Sequence, residues 1–580
     1  MLSRISCYGV ALLWLGGMAT VQAASQAAPE PATGLQASAQ ITAEKFLVVT
    51  AHPEATRAGY QILQRGGSAV DAAVAIQAML TLVEPQSSGI GGGAFMLHWD
   101  AKQQQLVAYD GRETAPQRAD SSLFLDADGK PMPWRQALVG GRSVGAPGVL
   151  RMLEQAHYQQ GKLAWSELFG DAIATAQQGF EVTPRLHQLL LKPANPGLKN
   201  YPQARDYFYP DGEPLAVGAR LTNSPLAETL TQIAEQGADY LYEGALAQRI
   251  VDRVQGASDN PGLLEIDDLS AYRAILREPL CRPFLQYRVC SMPPPTSGGV
   301  TVLQILGMLE TQSLQQLTPD GAEFAHLLTQ ASRLAYADRQ RYLADSDFVE
   351  VPVQQLLEPS YLRDRAKLID PEQDMGLASA GEFDHLAYAD GNAPELPSTS
   401  HFSVVDAAGN AVSMTSSIEM AFGSTLMVDG FLLNNQLTDF SFVAERDNLA
   451  VANRVEPGKR PRSSMSPVMV FDDKNQLVLL SGSPGGSRII NYVAQMLLQT
   501  LVWQLDAQQV VAMPHISNRN GVTELESGTQ AEALQPELER RGHQIKLTEM
   551  NSGIHAISGD QHGRWHSAVD PRREGMAMGR

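Results

Sequence analysis

Apolar residues recur along this chain at two spacings, every three to four positions in long stretches and every second position in shorter ones, the periods of helices and strands. From Ala55 the run Ala-Thr-Arg-Ala-Gly-Tyr-Gln-Ile-Leu-Gln-Arg-Gly-Gly predicts an amphipathic helix with a glycine stop, and Ala69 to Val83 predicts a more fully buried, Ala-rich one. Ala94 to Trp99 and Leu106 to Asp110 read as partner strands. Residues 149 to about 345 are mostly helical in pattern, with helices expected over Leu163 to Gln178, Pro225 to Gln236, Gly244 to Val254 and Gly321 to Leu343. From about 370 to 398 the periodicity fades among Pro371, Gly376, Gly381, Gly391, Pro394 and Pro397, which predicts a flexible approach to Thr399.

At Thr399 a hairpin begins. Two runs of β-branched, hydroxyl and aromatic residues, Thr399 to Val405 and Ala411 to Ser417, flank Asp406-Ala407-Ala408-Gly409-Asn410, a cluster tolerant of positive φ. A turn centred on Ala408 places Thr399 opposite Ser417, and opposed residues hold their Cβ atoms roughly 4.5 to 5.5 Å apart, within reach of a hydroxyl pair. Beyond it, Gly430 to Asn435, Val468 to Phe471 and Leu477 to Ser481 read as strands. Gly482-Ser483-Pro484-Gly485-Gly486-Ser487-Arg488 then leads into a helix from about Ile489 to Leu505.

At 580 residues, 44% hydrophobic and 18% charged, the chain can bury one large core or two or three smaller ones. A formal net charge of −19 argues against nucleic acid or an anionic membrane surface as partner. Residues 1–23, with Arg4 the lone charge, an apolar run from Tyr8 to Met18 and small residues at Val21-Gln22-Ala23, have the layout of a secretory signal peptide; a retained signal anchor is the alternative. Residues 24–42, rich in Ala, Gln, Pro and Ser, read as a disordered leader. Periplasmic or secreted localisation follows from a cleaved signal. Cys7 leaves with it, so Cys281 and Cys290 remain, either bridged across a local hairpin or as two free thiols; one such pair suggests no metal site.

Several motifs bear on chemistry. A threonine that starts a strand after a loose approach is where a cut exposes an N-terminal threonine, whose own α-amino group serves as base to its hydroxyl; Thr and Ser are also ordinary strand residues. Arg112, on a turn past a strand end, can receive a carboxylate through its planar fork, or pair with Asp110 or Glu113. Gly485-Gly486, where a strand passes into a helix, offers backbone N–H groups to an oxyanion, or is a tight turn. Two matches are rejected. Gly89 to Ala94 fits a dinucleotide fingerprint, but a helix precedes it and a strand comes after; those glycines fit close backbone contact better. Gly141-Arg142-Ser143-Val144-Gly145 fits a nucleophile elbow, but no helix begins at Ser143.

Taken in order, Gly67 to Val83 with Gly91-Gly92-Gly93, Arg112-Glu113-Thr114-Ala115-Pro116, Thr399 to Asp406, Leu433-Asn434-Asn435, Arg460 to Pro467, Gly482 to Arg488 and Asp570-Pro571-Arg572 resemble the γ-glutamyltransferase family over nearly the whole mature chain. The resemblance implies an α+β fold, the four-layer αββα sandwich of N-terminal-nucleophile hydrolases, with a mostly helical large-subunit part. It implies self-cleavage between Ser398 and Thr399 into a large subunit (43–398) and a small one (399–580) that stay together as a heterodimer. Thr399 is then the nucleophile, Ser417 its hydroxyl neighbour, and Gly485 and Gly486 the oxyanion hole. Arg112, Ser463 and Ser464 hold the glutamyl α-carboxylate; Glu419, Gln436 and Asp439 hold the α-amino group. The implied substrates are glutathione and other γ-glutamyl compounds, with water, amino acids or peptides as acceptors, and no cofactor or metal.

Glu419 stands where many members have asparagine, and the lid-like stretch Ser441 to Gly458 lacks tyrosine and reads short. Two rival readings share the fold: a cephalosporin or glutaryl-amide acylase, and a secreted binding protein without the chemistry. The acylase's acyl group lacks an α-amino group and gains nothing from two buried carboxylates.

Overall fold

The computed structural model describes residues 35–36, 38–192, 195–391, 393 and 398–580. The expected signal peptide, most of the expected leader (24–34 and 37), and Pro394 and Pro397 of the approach lie outside the described residues.

Two antiparallel seven-stranded sheets face each other. The first runs Met576–Gly579, Leu47–Thr50, Ser400–Val405, Ala411–Ser417, Gly93–Asp100, Gln105–Gly111, Ile275–Arg277. The second runs Thr42–Ala43, Trp565–Val569, His555–Gly559, Leu477–Ser481, Val468–Phe471, Tyr287–Ser291, Leu280–Phe284. Alternation along each strand sorts side chains to opposite faces. Phe402, Val404, Val412 and Met414 join the cluster that holds the helix Ala69–Val83, while Leu97, Trp99 and Val405 join Met469, Phe471 and Leu480 of the facing sheet. Trp99 and Phe471 touch, with ring centroids 4.6 Å apart. Helices Gly298–Leu309, Ala322–Tyr342 and Ile489–Val502 cover the far side of the second sheet. The result is the four-layer αββα sandwich, with the additional helices of residues 149–270 packed outside the first sheet.

Each sheet mixes strands from both sides of Thr399. The first takes four from before it and three from after, the second three and four. A cut at Thr399 therefore leaves two chains whose strands interleave in both sheets.

Local sequence explains most boundaries. Ser68 and Asp71 form a reciprocal capping box at the start of Ala69–Val83, in which every residue is buried. Gly92 lies so close to the next strand that a Cβ there would meet the Ser417 carbonyl oxygen at 2.2 Å, the close approach the glycine run implies. Ser143 is buried in the short 3-10 turn Gly141–Ser143 and donates to the Leu138 carbonyl, so the elbow-like motif is structural. Cys281 and Cys290 face each other on neighbouring strands and are joined as a disulfide.

Four expectations are corrected. The sequence predicts a leader through residue 42, yet Thr42–Ala43 is an edge strand against His566 and Trp565, because Ile41 and Ala43 carry apolar side chains into the sheet margin and Ile41 exchanges hydrogen bonds with Ser567. Leu163 to Gln178 is not one helix: a 3-10 turn, Trp165–Leu168, precedes Gly170–Gln178, with Phe169 and the weak helix former Gly170 at the break. Gly430 to Asn435 is strand only at Phe431–Leu432, since Asn434 turns the chain with its own amide. The described part of the 370–398 approach forms no helix or strand but is tied down, Asp374 N–H donating to Arg541 O, Ala389 N–H to Ala450 O and Gly391 N–H to Gln340 O.

Candidate active site

The hairpin has the register that symmetry about Ala408 requires, with Ser400 opposite Ser416 and Val405 opposite Ala411. Gly409 supplies the positive φ of the turn at 82°, and the Asp406 carboxylate accepts from the N–H groups of Ala408 and Asn410. Extended by one residue, the register sets Thr399 opposite Ser417. Their hydroxyls are not the bonded pair, however. Ser417 Oγ donates to the Ser398 carbonyl oxygen at 2.8 Å and accepts from Glu419 N–H at 2.8 Å, because in the continuous chain that carbonyl comes within reach first. Ser398 Oγ donates to the Gln86 carbonyl at 2.5 Å, and Arg573 Nη1 donates to the Thr399 carbonyl at 3.1 Å. The Ser398–Thr399 peptide is thus buried and gripped from both sides.

Around Thr399 lies a narrow pocket whose lining includes Arg112, Ser417, Glu419, Gln436, Asp439, Ser463, Ser464 and Gly486. Of the residues picked from sequence, only Gly485 and Ser398 stand just behind that lining. Met465 and Ile489, which sequence reasoning passed over, add an apolar wall.

One half of the pocket presents donors. Arg112 is buried and fixed by its Nε on the Pro461 carbonyl (3.0 Å) and its Nη2 on the Arg462 carbonyl (2.9 Å) and Asp439 Oδ2 (2.5 Å). Desolvation alone lowers its pKa, but the charge and hydrogen bond of Asp439, joined by Glu113 where that carboxyl is ionised, outweigh it and push the pKa up, so the guanidinium is charged. Ser463 Oγ accepts from Met465 N–H at 3.1 Å and Ser464 Oγ from Arg339 Nη2 at 2.7 Å.

The other half presents acceptors. Gln436 Nε2 donates to both Glu419 Oε2 (3.0 Å) and Asp439 Oδ2 (2.8 Å), holding two carboxylates together that would otherwise repel. Its own Oε1, buried and without a hydrogen bond among the described residues, is a further acceptor. Glu419 has φ 76°, an uncommon conformation for a side chain of this size and a form of strain concentrated at functional sites. Behind Arg112, burial pushes the Glu113 carboxyl up to about 8, against the pull of the Arg112 charge.

At the far end Gly485 and Gly486, with φ 137° and 58°, lead into the 3-10 turn Gly486–Arg488 and the helix Ile489–Val502. N–H groups in the first turn of a helix have no intrahelical acceptor, and the helix dipole favours negative charge there. A Cβ on Gly485 would meet the Tyr492 ring at 2.7 Å.

The sequence profile described as Gamma-glutamyltranspeptidase matches residues 55–580. The chain belongs to this family. It is similar to the glutathione hydrolase proenzyme of Bacillus subtilis strain 168, 36% identical over 554 residues that cover 92% of this chain and 91% of the relative. It is also similar to the Escherichia coli K12 glutathione hydrolase proenzyme, 35% identical over 569 residues covering 96% of each. Among solved structures, cephalosporin acylase from Bacillus halodurans superposes with a TM-score of 0.83 at 27% identity, covering 94% of this chain and 98% of that one. Membership of the gamma-glutamyltranspeptidase family makes the protein an enzyme of the N-terminal-nucleophile fold.

In this family member, several residues that support the pocket carry no legible sign in the sequence. Asn434 uses its whole amide, accepting from Gly145 N–H and Gln436 N–H and donating to the Gly91 and Gly145 carbonyls, so that it fixes the turn holding Gln436 and Asp439. Asn453, in the lid-like stretch, donates to the Asp439 carbonyl and accepts from Arg462 N–H. That stretch is further held by Phe442 stacked on Phe124 and by buried Lys459, which donates to the Ala452 carbonyl and pairs with Glu456. Only the Asn434-Asn435 pair within a recognised motif offers a hint.

Proposed function

We propose that the protein is a γ-glutamyltransferase and glutathione hydrolase, made as a precursor and matured by self-cleavage at Ser398–Thr399. The observation that carries this reading is the division of the pocket around Thr399 into a donor half, Arg112, Ser463 and Ser464, and an acceptor half, Glu419, Gln436 and Asp439. A zwitterionic α-amino-acid head group is the complement of such a pocket, with its carboxylate toward Arg112 and its ammonium between the two carboxylates. The γ-carbonyl of a glutamyl group so held reaches toward Thr399.

In maturation, Thr399 Oγ1 attacks the Ser398 carbonyl carbon, the hydroxyl proton passes to the amide nitrogen, and the peptide C–N bond breaks as the ester forms, freeing the Thr399 α-amino group; water then hydrolyses the ester to a Ser398 carboxylate and the Thr399 hydroxyl. The Ser417 hydrogen bond to the Ser398 carbonyl oxygen polarises that bond. In turnover the α-amino group takes the Thr399 hydroxyl proton as the oxygen attacks the γ-carbonyl, and returns it to the departing amine. The tetrahedral oxyanion is stabilised by the Gly485 and Gly486 N–H groups, an effect worth about 10² to 10³ in rate per donor. Water or an amine acceptor then takes the γ-glutamyl group from Thr399.

A glutaryl donor lacks the ammonium, leaving Glu419 and Asp439 to be buried against apolar acyl carbon, which is costly. Secretion to the periplasm or exterior follows from the signal-like residues 1–23; among the described residues no helix is long and apolar enough to cross a membrane. The test is a paired assay of γ-glutamyl and glutaryl anilides with the matured protein. Preference for the γ-glutamyl donor supports the reading, and preference for the glutaryl donor refutes it.

A further inference from the structure

Arg339 lies near the C-terminal end of the long helix Ala322–Tyr342, buried, and distant in sequence from every residue assigned to the pocket. Its Nη2 donates to Ser464 Oγ at 2.7 Å and its Nε to Ser297 Oγ at 2.8 Å. Ser297 in turn donates twice to the Ser463 carbonyl, through its hydroxyl at 2.6 Å and its N–H at 2.8 Å. The Arg339 carbonyl accepts from Arg462 Nη1 at 3.0 Å, and the Arg462 carbonyl accepts from Arg112 Nη2. The guanidinium therefore braces both serines, while the backbone carbonyl of the same residue holds, through Arg462, the segment on which Arg112 rests.

The direction of these bonds matters. A guanidinium has five donors and no acceptor. Ser464 Oγ must act as acceptor toward Arg339, and its own proton points away from that cation. Ser463 Oγ likewise accepts from Met465 N–H, and Ser297 Oγ accepts from Arg339 while donating to Ser463 O. Hydroxyls polarised in this way are donors toward the pocket, and an ionised carboxylate is acceptor-only. The guanidinium also sets a second positive charge one hydroxyl behind the face that Arg112 lines.

We infer that Arg339 is a positioning residue for the donor's α-carboxylate, acting through Ser464 and, by way of Ser297, through Ser463. The inference rests on the proposed reading of that half of the pocket as the carboxylate grip, and adds to it a specificity-determining cation that never touches substrate.

The test uses the full-length protein and its Arg339→Gln, Arg339→Lys, Ser464→Ala and Arg339→Gln/Ser464→Ala variants. Self-cleavage on a denaturing gel establishes which have matured, and KM and kcat are measured for γ-glutamyl-p-nitroanilide and for its α-carboxamide analogue. Arg339→Gln is expected to raise KM for the carboxylate donor about ten-fold, the loss of one charge-assisted contact, with little change for the carboxamide. Arg339→Lys should recover part of the loss, and in the Ser464→Ala background Arg339→Gln should add less than about two-fold, as coupled residues do. Equal losses on both donors, or a full additional loss on top of Ser464→Ala, overturn the role of Arg339 alone. An unaltered donor preference in Ser464→Ala overturns the carboxylate reading itself, and Arg339's role with it. Should Arg339→Gln fail to mature, Arg339→Lys carries the comparison, and a Lys variant with an unchanged donor preference and wild-type KM overturns the proposal.

Discussion

Residues with opposite demands share one small volume here, and each answers to a different neighbour. Arg112 is kept charged chiefly by Asp439, so Arg112→Ala should leave self-cleavage intact while lowering kcat/KM for a γ-glutamyl anilide by about 10²-fold, the loss of a charged contact worth ~3 kcal/mol. Glu113 behaves differently, because burial raises its pKa to about 8. Between its unfolded value near 4.3 and about 8 the folded protein holds a proton that the unfolded chain has lost, so this group's contribution to stability falls as pH rises through that window. Glu113→Gln should therefore gain in melting temperature relative to the parent protein as pH is raised from about 5 to about 8, and a constant difference across that range would contradict the assignment. Thr399, Arg112 and the acceptor residues were legible as types in order along the chain. Arg339, Ser297 and Asn453 were not, since each acts through a hydrogen bond to a residue far away in sequence, which no local pattern encodes.

The elements that carry these residues are strands whose turns dictate register. The Thr399 hairpin could be read from sequence because Asp406, Gly409 and Asn410 fix a symmetric turn, and a slip of one residue would send Phe402 and Val404 to the wrong face. Gly92 depends instead on a neighbouring strand. Its hydrogen atom occupies the space where a methyl would strike the Ser417 carbonyl oxygen, in the strand pair that frames Thr399. Gly92→Ala should lower the melting temperature by about 1 to 2.5 °C, as an overpacking cost of roughly 1 to 3 kcal/mol implies for a chain of this length, and should slow self-cleavage. Unchanged maturation kinetics would show that the strand pair tolerates displacement. The end of the leader at residue 42 and the single helix over Leu163 to Gln178 depart from expectation for related reasons, because edge pairing of Thr42–Ala43 with Trp565–Val569 and the break at Phe169 and Gly170 depend on context that periodicity does not report.

At the scale of the whole molecule, the two sheets are each built from both sides of Thr399. Cutting there removes one covalent bond from a core that neither segment completes alone. The two fragments should co-elute on size exclusion under native conditions and separate only in denaturant. The disulfide joins Cys281 to Cys290 within the longer segment, so reducing and non-reducing denaturing gels should show the same two bands. Fragments that part in native buffer would mean that the interleaving is not what holds the protein together.

Everything proposed for the pocket depends on Thr399 becoming an N-terminal nucleophile by cutting its own chain. Intact-mass spectrometry of the purified protein beside its Thr399→Ala variant tests this step most directly. Two chains are expected for the parent, the smaller beginning at Thr399, and a single uncut, inactive chain for the variant. A parent protein that turns over γ-glutamyl donors as one intact chain, or a Thr399→Ala variant that still matures and turns over, would contradict it.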